Sequence, residues 1–402
     1  MLVTTTALAA VLSGCAEDDL EHGAFKSFPT YASGDVIAGE LQVLVADGED
    51  GTSWLVHQIV DFDGVPVELA FDGASPTPED IAPKSLVQVV GDYDGERFAV
   101  DDLTVVSPPP QPIIDPTPFA PRKIAVLVID WGSGPDMSVD EVRDRMFTAE
   151  YSTRNYYAEV SYGRESLEGD VFGPYTLPYN GCSSDSIAYN ARQAFIADGG
   201  NPEEFEQFMY YFPSAGCGWS GLAMLGQPQD EERDSWYNGS FGCVVRNQEL
   251  AHNYGLMHTH WYYCSGGPFS NSCSYEEYGS PFDPMGYGCG HMAQPDKEWM
   301  DWVEGCNIVD ANSDGLFAVV PTSLPCNGTQ ALRVPTMDGR DYYIEYRNNT
   351  GFDGEEGISG VLVTVSGPGD WWGPEAYIID LGQGGYLASG DYTLSLHDAL
   401  PI

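Results

Sequence analysis

The segment SPPPQPIIDPTPFAP, Ser107 to Pro121, does most to limit what this chain can fold into. Proline fixes φ and has no backbone N–H, so a run this rich in it cannot be a helix interior or a central strand. It reads as an extended, semi-rigid spacer, and it separates two stretches of different hydrophobic period. Upstream, GELQVLVAD, SWLVHQIVDF, VPVELAF, SLVQVVGDY and FAVDDLTVV are five β-rich runs broken by Gly, Asp and Pro. Five strands in about seventy residues predict a small barrel or sandwich over 35–106, with an OB-like arrangement as one form.

Past the spacer the pattern changes. KIAVLVID, Lys123 to Asp130, has the continuous apolar character of a buried central strand, and FMYYFP, Phe208 to Pro213, has it again. Ser138 with Glu141 three residues on forms a capping box, followed by Val139, Val142, Met146 and Phe147 at helical spacing. A second helix is predicted around Tyr156 to Tyr162, stopping at Gly163. A third runs through Ile187, Ala188, Ala191 and Phe195 to Gly199-Gly200. Strand-like runs return in ALRVP, DYYIEYR and GVLVTVS, which predict a β-rich C-terminal subdomain. The expected class is α+β: a β module over 35–106, a linker over 107–122, a mixed α/β domain over 123–305 and a β subdomain over 306–390. Residues 391–402, DYTLSLHDALPI, complete no element, as though the chain were truncated or its end not native, and stay unassigned.

Charge and cysteine narrow the setting. Asp and Glu number 61 against 16 Lys and Arg, a formal charge of -45. Such a surface repels nucleic acid and favours solubility, so a nucleic-acid partner is not expected. The opening MLVTTTALAAVLSGC is too short for a membrane span and has the length and small residues of a secretory signal, although no Lys or Arg precedes its apolar run. Eight cysteines remain after Cys15, all between Cys182 and Cys326. An even number in an exported chain allows up to four disulfides, and none of the spacings suits a thiolate metal site.

The chemistry concentrates in RNQELAHNYGLMHTH, Arg246 to His260. On a helix Gln248 and His252 are one turn apart and face the same way, with Glu249 about 100° round. Gly255 can take the left-handed conformation, end the helix and bring His258 back toward that face. This is the logic of H-E-x-x-H-x-x-G-x-x-H with Gln in place of the first His. His252, His258 and Gln248 would hold zinc, and Glu249 would accept the proton of its bound water. The weaker, harder amide oxygen of Gln248 implies looser zinc binding or another divalent metal such as copper. The competing interpretation is an amphipathic helix with two exposed histidines. Downstream, SPFDPMGYG sets Met285 in a tight turn.

QELAHNYGLMH followed by PFDPMGYGCGHMAQPDKEW resembles the gametolysin family of metzincin metallopeptidases, and so do YYAEVSYGRESLEGDV and GCGWSGLA upstream. The likeness covers roughly Lys123 to Trp302. It implies a metzincin-like domain with its cleft at the motif helix, and a secreted metalloendopeptidase acting on extracellular proteins or peptides. His252 and His258 carry over as ligands, Glu249 as general base and Met285 as the floor of the site. By the same resemblance GWSGLAML is the cleft's edge strand, where Gly221, Leu222 and Ala223 would pair with an extended substrate. Tyr287 stands where some metzincins place a tyrosine that steadies the oxyanion, and it is equally an ordinary turn residue. His260 and His291 are alternatives to Gln248 as third ligand, or residues beside the site.

Leu12-Ser13-Gly14-Cys15 resembles the lipobox of bacterial lipoproteins. That implies acylation of Cys15, a tether over 16–34 and anchoring to a membrane, giving a secreted or cell-envelope protein such as an outer-membrane lipoprotein. A reading from another class also fits the sequence: a catalytically inactive surface-binding lipoprotein that keeps the peptidase fold.

Overall fold

The computed structural model describes residues 35–387 except 62–64, 72–80, 95, 109–120, 179–180, 229–232, 266–271, 304, 306, 314–316, 324, 326–327, 337–338, 368–372, 380 and 382–385. Cys15, the tether, most of the proline-rich spacer and the tail lie outside the described residues, as do Cys306 and Cys326.

The five upstream runs are strands β1 (Asp35–Gly48), β2 (Ser53–Asp61), β3 (Pro66–Ala70), β4 (Leu86–Tyr93) and β5 (Phe98–Ser107). β1 pairs antiparallel with both β2 and β4, β2 with β3, and β4 with β5, while β3 and β5 run parallel. The pairings close on themselves, so of the two expected forms the module is a small five-stranded barrel. Leu41, Val43, Val45, Ile59, Val87 and Phe98 fill its interior.

β1 explains why its sequence is apolar at consecutive positions. Side chains alternate across a strand, and here both faces are covered. Val43 and Val45 point into the barrel, while Leu44 and Ala46 join the core of the following domain. The far half of β1 pairs antiparallel with β9 (Trp219–Met224), in register Leu44–Met224, Val45–Ala223, Ala46–Leu222 and Asp47–Gly221. The sheet continues through β10 (Arg233–Asn238), β8 (Gln207–Phe212), β6 (Arg122–Asp130) and β7 (Leu167–Thr176). Of these strands β9 alone runs antiparallel to its neighbours.

Helices cover both faces of this sheet. α1 (Val139–Arg143) starts at the Ser138–Glu141 capping box and runs into a π turn. α2 (Thr153–Val160) and α4 (Cys243–Asn253) pack with Val126, Val128 and Tyr211 on one face. α3 (Ser184–Ala197) packs with Leu127, Ile129, Phe208 and Tyr210 on the other.

A second sheet has the order β12 (Cys273–Glu276), β11 (Thr259–Cys264), β17 (Ala376–Ile379), β16 (Ser359–Ser366), β15 (Asp341–Asn348), β14 (Ala331–Pro335) and β13 (Ile308–Asp310), with β18 (Tyr386–Leu387) on β16. Two of its strands come from residues directly after the motif helix, so this sheet reaches into the segment that the sequence pattern attaches to the α/β domain. α5 (Gln294–Trp299) and α6 (Phe352–Glu355) bridge the two halves. The class is therefore α+β, a metzincin-like domain flanked by two β modules. Among the described residues three disulfides join Cys182 to Cys217, Cys243 to Cys289 and Cys264 to Cys273. Among the described residues no helix is long and apolar enough to cross a membrane.

Candidate metal centre and catalytic residues

α4 is buried on all sides from Arg246 to Asn253. Most polar residues of so buried a helix need partners, and those at its two ends have them. Arg246 donates to the Thr153 hydroxyl (2.9 Å) and the Tyr151 carbonyl (2.9 Å), and Tyr157 donates its hydroxyl to the Asn247 carbonyl (2.7 Å). At the far end the Asn253 amide donates to the carbonyls of Met224 (2.8 Å) and Asp234 (3.1 Å), pinning the helix to β9 and β10. Gly255 follows with φ of +86°. A Cβ there would lie 2.4 Å from the Gly226 carbonyl oxygen, so glycine is required by backbone angle and by space.

The turn at Gly255 does what the spacing predicts. His252 Nε2 and His258 Nε2 stand 3.1 Å apart. The other ring nitrogens show how the two imidazoles are protonated. His252 Nδ1 lies 2.7 Å from the Leu256 carbonyl and His258 Nδ1 lies 2.7 Å from Glu277 Oε1. Both neighbours accept only, so both Nδ1 atoms carry hydrogen, and each Nε2 is turned toward the other ring, where a shared cation would sit.

A third acceptor meets them. Asp47, at the end of β1, places Oδ1 2.9 Å from His258 Nε2 and Oδ2 3.5 Å from His252 Nε2. Asp47, His252 and His258 are all buried, and the three form a potential metal-binding group. Three converging acceptors require a cation. A proton on His258 satisfies part of this. Burial would lower the His258 pKa, but the charge and hydrogen bond of Asp47 with those of Glu277 override it and raise it to about 9. A divalent ion satisfies all three at once: ligands about 2.0–2.1 Å from a tetrahedral centre lie about 3.3 Å from one another, close to the spacing seen here.

Gln248 is buried one turn before His252, and its Nε2 has no hydrogen-bond partner. Glu249 is fully buried, and neither carboxylate oxygen has one. Burial first, then the negative charge of Asp47, raises the Glu249 pKa well above the usual carboxylate range. The acid rests directly on the backbone of Gly221. A Cβ on that residue would lie 1.7 Å from Glu249 Oε1, so β9 needs glycine here for the acid to fit. Gly221, expected to line the substrate, thus also seats the proposed base, and Leu222 and Ala223 beside it are paired with Ala46 and Val45.

Met285 is fully buried and shares a core with Leu250, Ala251 and Leu256. Its N–H donates to Asp283 Oδ1 (3.0 Å), and its carbonyl accepts from Thr259 N–H (2.9 Å) next to His258. The Cys243–Cys289 disulfide ties the first residue of α4 to the end of this turn. Tyr287 is 62% exposed. A different tyrosine touches the cluster: Tyr278 donates its hydroxyl to Asp47 Oδ1 (2.7 Å), and its ring centre is 4.2 Å from that of His258. His260 lies beside the site, 3.3 Å from Glu277 Oε2. His291 belongs to a separate buried network, its Nε2 on Glu159 (2.9 Å) and its Nδ1 on Lys297 (2.9 Å). Neither histidine joins the converging group.

Asp47, Glu277 and Tyr278 contact the histidine group, and the sequence pattern reveals none of them. Asp47 precedes a Gly-Glu-Asp-Gly turn, where acids are ordinary. Only the β1–β9 register brings it to the histidines.

The model of the family described as gametolysin peptidase M11 matches residues 123–353, more than half of the chain. The chain belongs to that family. No curated protein matches it. The matched span holds α4, both histidines, the turn at Met285 and most of the second sheet, while Asp47 lies outside it. Membership and the buried His/His/Asp group together make this M11 peptidase a metal-dependent endopeptidase.

Proposed function

We propose that this M11 chain is a zinc endopeptidase that cleaves extracellular proteins, with Glu249 as general base and His252, His258 and Gln248 as the zinc ligands of the working enzyme. The observation that carries this is the convergence of the two Nε2 atoms beside the fully buried carboxyl group of Glu249. Zinc bound there supplies an electrophile that acidifies water and polarises the scissile carbonyl. Glu249 takes the proton and returns it to the leaving amine. His252 and His258 are held in register by the Leu256 carbonyl and by Glu277, contacts of the kind that fix a ligating imidazole's tautomer. Met285 and the disulfide at Cys289 support the floor. Export, and anchoring through an acylated Cys15, is the setting proposed for it, in keeping with its disulfides.

The test is elemental analysis of the purified chain beside casein digestion with and without a chelator. About one zinc per chain and digestion abolished by the chelator are expected. A metal-loaded chain that leaves denatured casein intact under activating conditions would favour the inactive binding protein. Gln248→His tests the amide ligand: zinc affinity should rise by about 10–100-fold, the order by which disturbing a ligand's surroundings changes it. Unchanged affinity removes Gln248 from the ligand set.

A further inference from the structure

The edge of β9 expected to receive substrate is already taken. β10 pairs with one side of β9, and β1 pairs with the other from Leu44 to Gly48. A strand has only two edges, so while β1 is in place no extended peptide can add there. The contact goes beyond backbone pairing. The Val43 carbonyl accepts from Leu225 N–H (2.8 Å), and Glu49 N–H donates to the Gly218 carbonyl (3.1 Å), closing both ends of the seam. Across the cleft, Ser53 donates its hydroxyl to Glu277 (3.0 Å), and the Tyr278 hydroxyl holds Asp47 Oδ1. Inside this clasp Glu249 has no exposed surface, so substrate reaches it only when the clasp opens. Asp47 is only 4% exposed and its Oδ2 has no hydrogen-bond partner, a position a carboxylate holds only beside a cation.

We propose that the N-terminal barrel is an intramolecular inhibitor of the peptidase, with β1 lying in the substrate's place on β9 and Asp47 capping the ion held by His252 and His258. This rests on the metallopeptidase reading above and adds to it a latent state. The inhibitor belongs to the same chain, so its docking is intramolecular and does not depend on protein concentration. A substrate peptide must displace it, which makes activation a property of the barrel's docking and not of the catalytic residues.

The test compares full-length wild type with Asp47→Ala and with Asp47→Asn, which keeps the volume and removes the charge. Two readouts are used: casein hydrolysis with zinc present, and hydrogen–deuterium exchange of the β9 amides in chelator. Asp47→Ala should hydrolyse casein about tenfold faster or more, as expected when a competent state is freed from a minor population, and its β9 amides should exchange faster. Asp102→Ala, on the exposed face of β5, should change neither. If Asp47→Ala does not fold, Asp47→Asn is read in the same two ways. A wild type that digests casein, with a variant equal to it in rate and exchange, overturns the inference and leaves the peptidase standing. A slower variant that has also lost zinc overturns it too, because Asp47 is then a permanent ligand. Faster exchange at β9 with no hydrolysis by either protein supports the docking and sinks the peptidase instead.

Discussion

Glu249→Ala in the Asp47→Ala background is expected to slow casein hydrolysis by about 10²–10⁴-fold, the range that general acid–base groups contribute. Zinc content and the unfolding midpoint should stay close to those of the parent. The physical reason is the acid's isolation. Both oxygens are buried without a hydrogen-bond partner, and burial raises the pKa well above the ordinary value. With Asp47 replaced, a side chain so placed contributes little to holding the fold together, because no hydrogen bond then offsets its desolvation. Removing it should leave stability unchanged or slightly raised, so stability and activity should move apart. A parallel loss of both would show Glu249 to be structural. Glu249→Gln, with nearly the same shape, should be as slow as the alanine variant, which excludes a cavity as the cause.

The second large effect belongs to Arg347. Its guanidinium is buried between Glu345 (2.6 Å) and Asp353 (2.9 Å) and donates to the carbonyls of His291 (2.8 Å) and Met292 (3.2 Å). Removing one partner of a buried ionic group strands the others, typically at about 3–5 kcal/mol. Arg347→Ala should therefore destabilise the chain by that amount and lower Tm by roughly 10 °C, read from thermal and denaturant unfolding. Arg333→Ala is the comparison. Its partners Glu298 and Asp310 are half exposed, and such pairs contribute about 1 kcal/mol or less. Equal losses in the two variants would mean that the buried network is not what joins the second sheet to the segment after Met285. Activity should fall with Arg347→Ala as well, through slackening of the turn beneath the histidines.

What the sequence revealed and what it hid follow one rule. Local patterns were legible: the Ser138–Glu141 cap, the five barrel strands, and the His252–Gly255–His258 turn, each fixed by residues within a few positions of one another. Long-range pairings were not. Nothing in VLVAD marks Asp47 as different from the other 60 acids until β1 is laid on β9. THWYYC gives no sign that β11 will pair with β17, and a tyrosine seven residues ahead of Met285 has no spacing rule to recommend it over Tyr287. Charged residues misled in another way. Glu345, Arg347, Asp353 and Lys297 look like a solvated surface in the sequence, yet all four are buried. Composition cannot show that they neutralise one another inside the fold.

β11 begins at the residue after His258 and takes its parallel neighbour, β17, from far downstream. A polypeptide emerging from its N-terminus cannot seat that strand until Ala376–Ile379 has appeared. By then the barrel bearing Asp47 has long been available, since N-terminal units fold first during synthesis. Under the proposed inhibition, the order of the chain makes the restraint available before the site it restrains is complete.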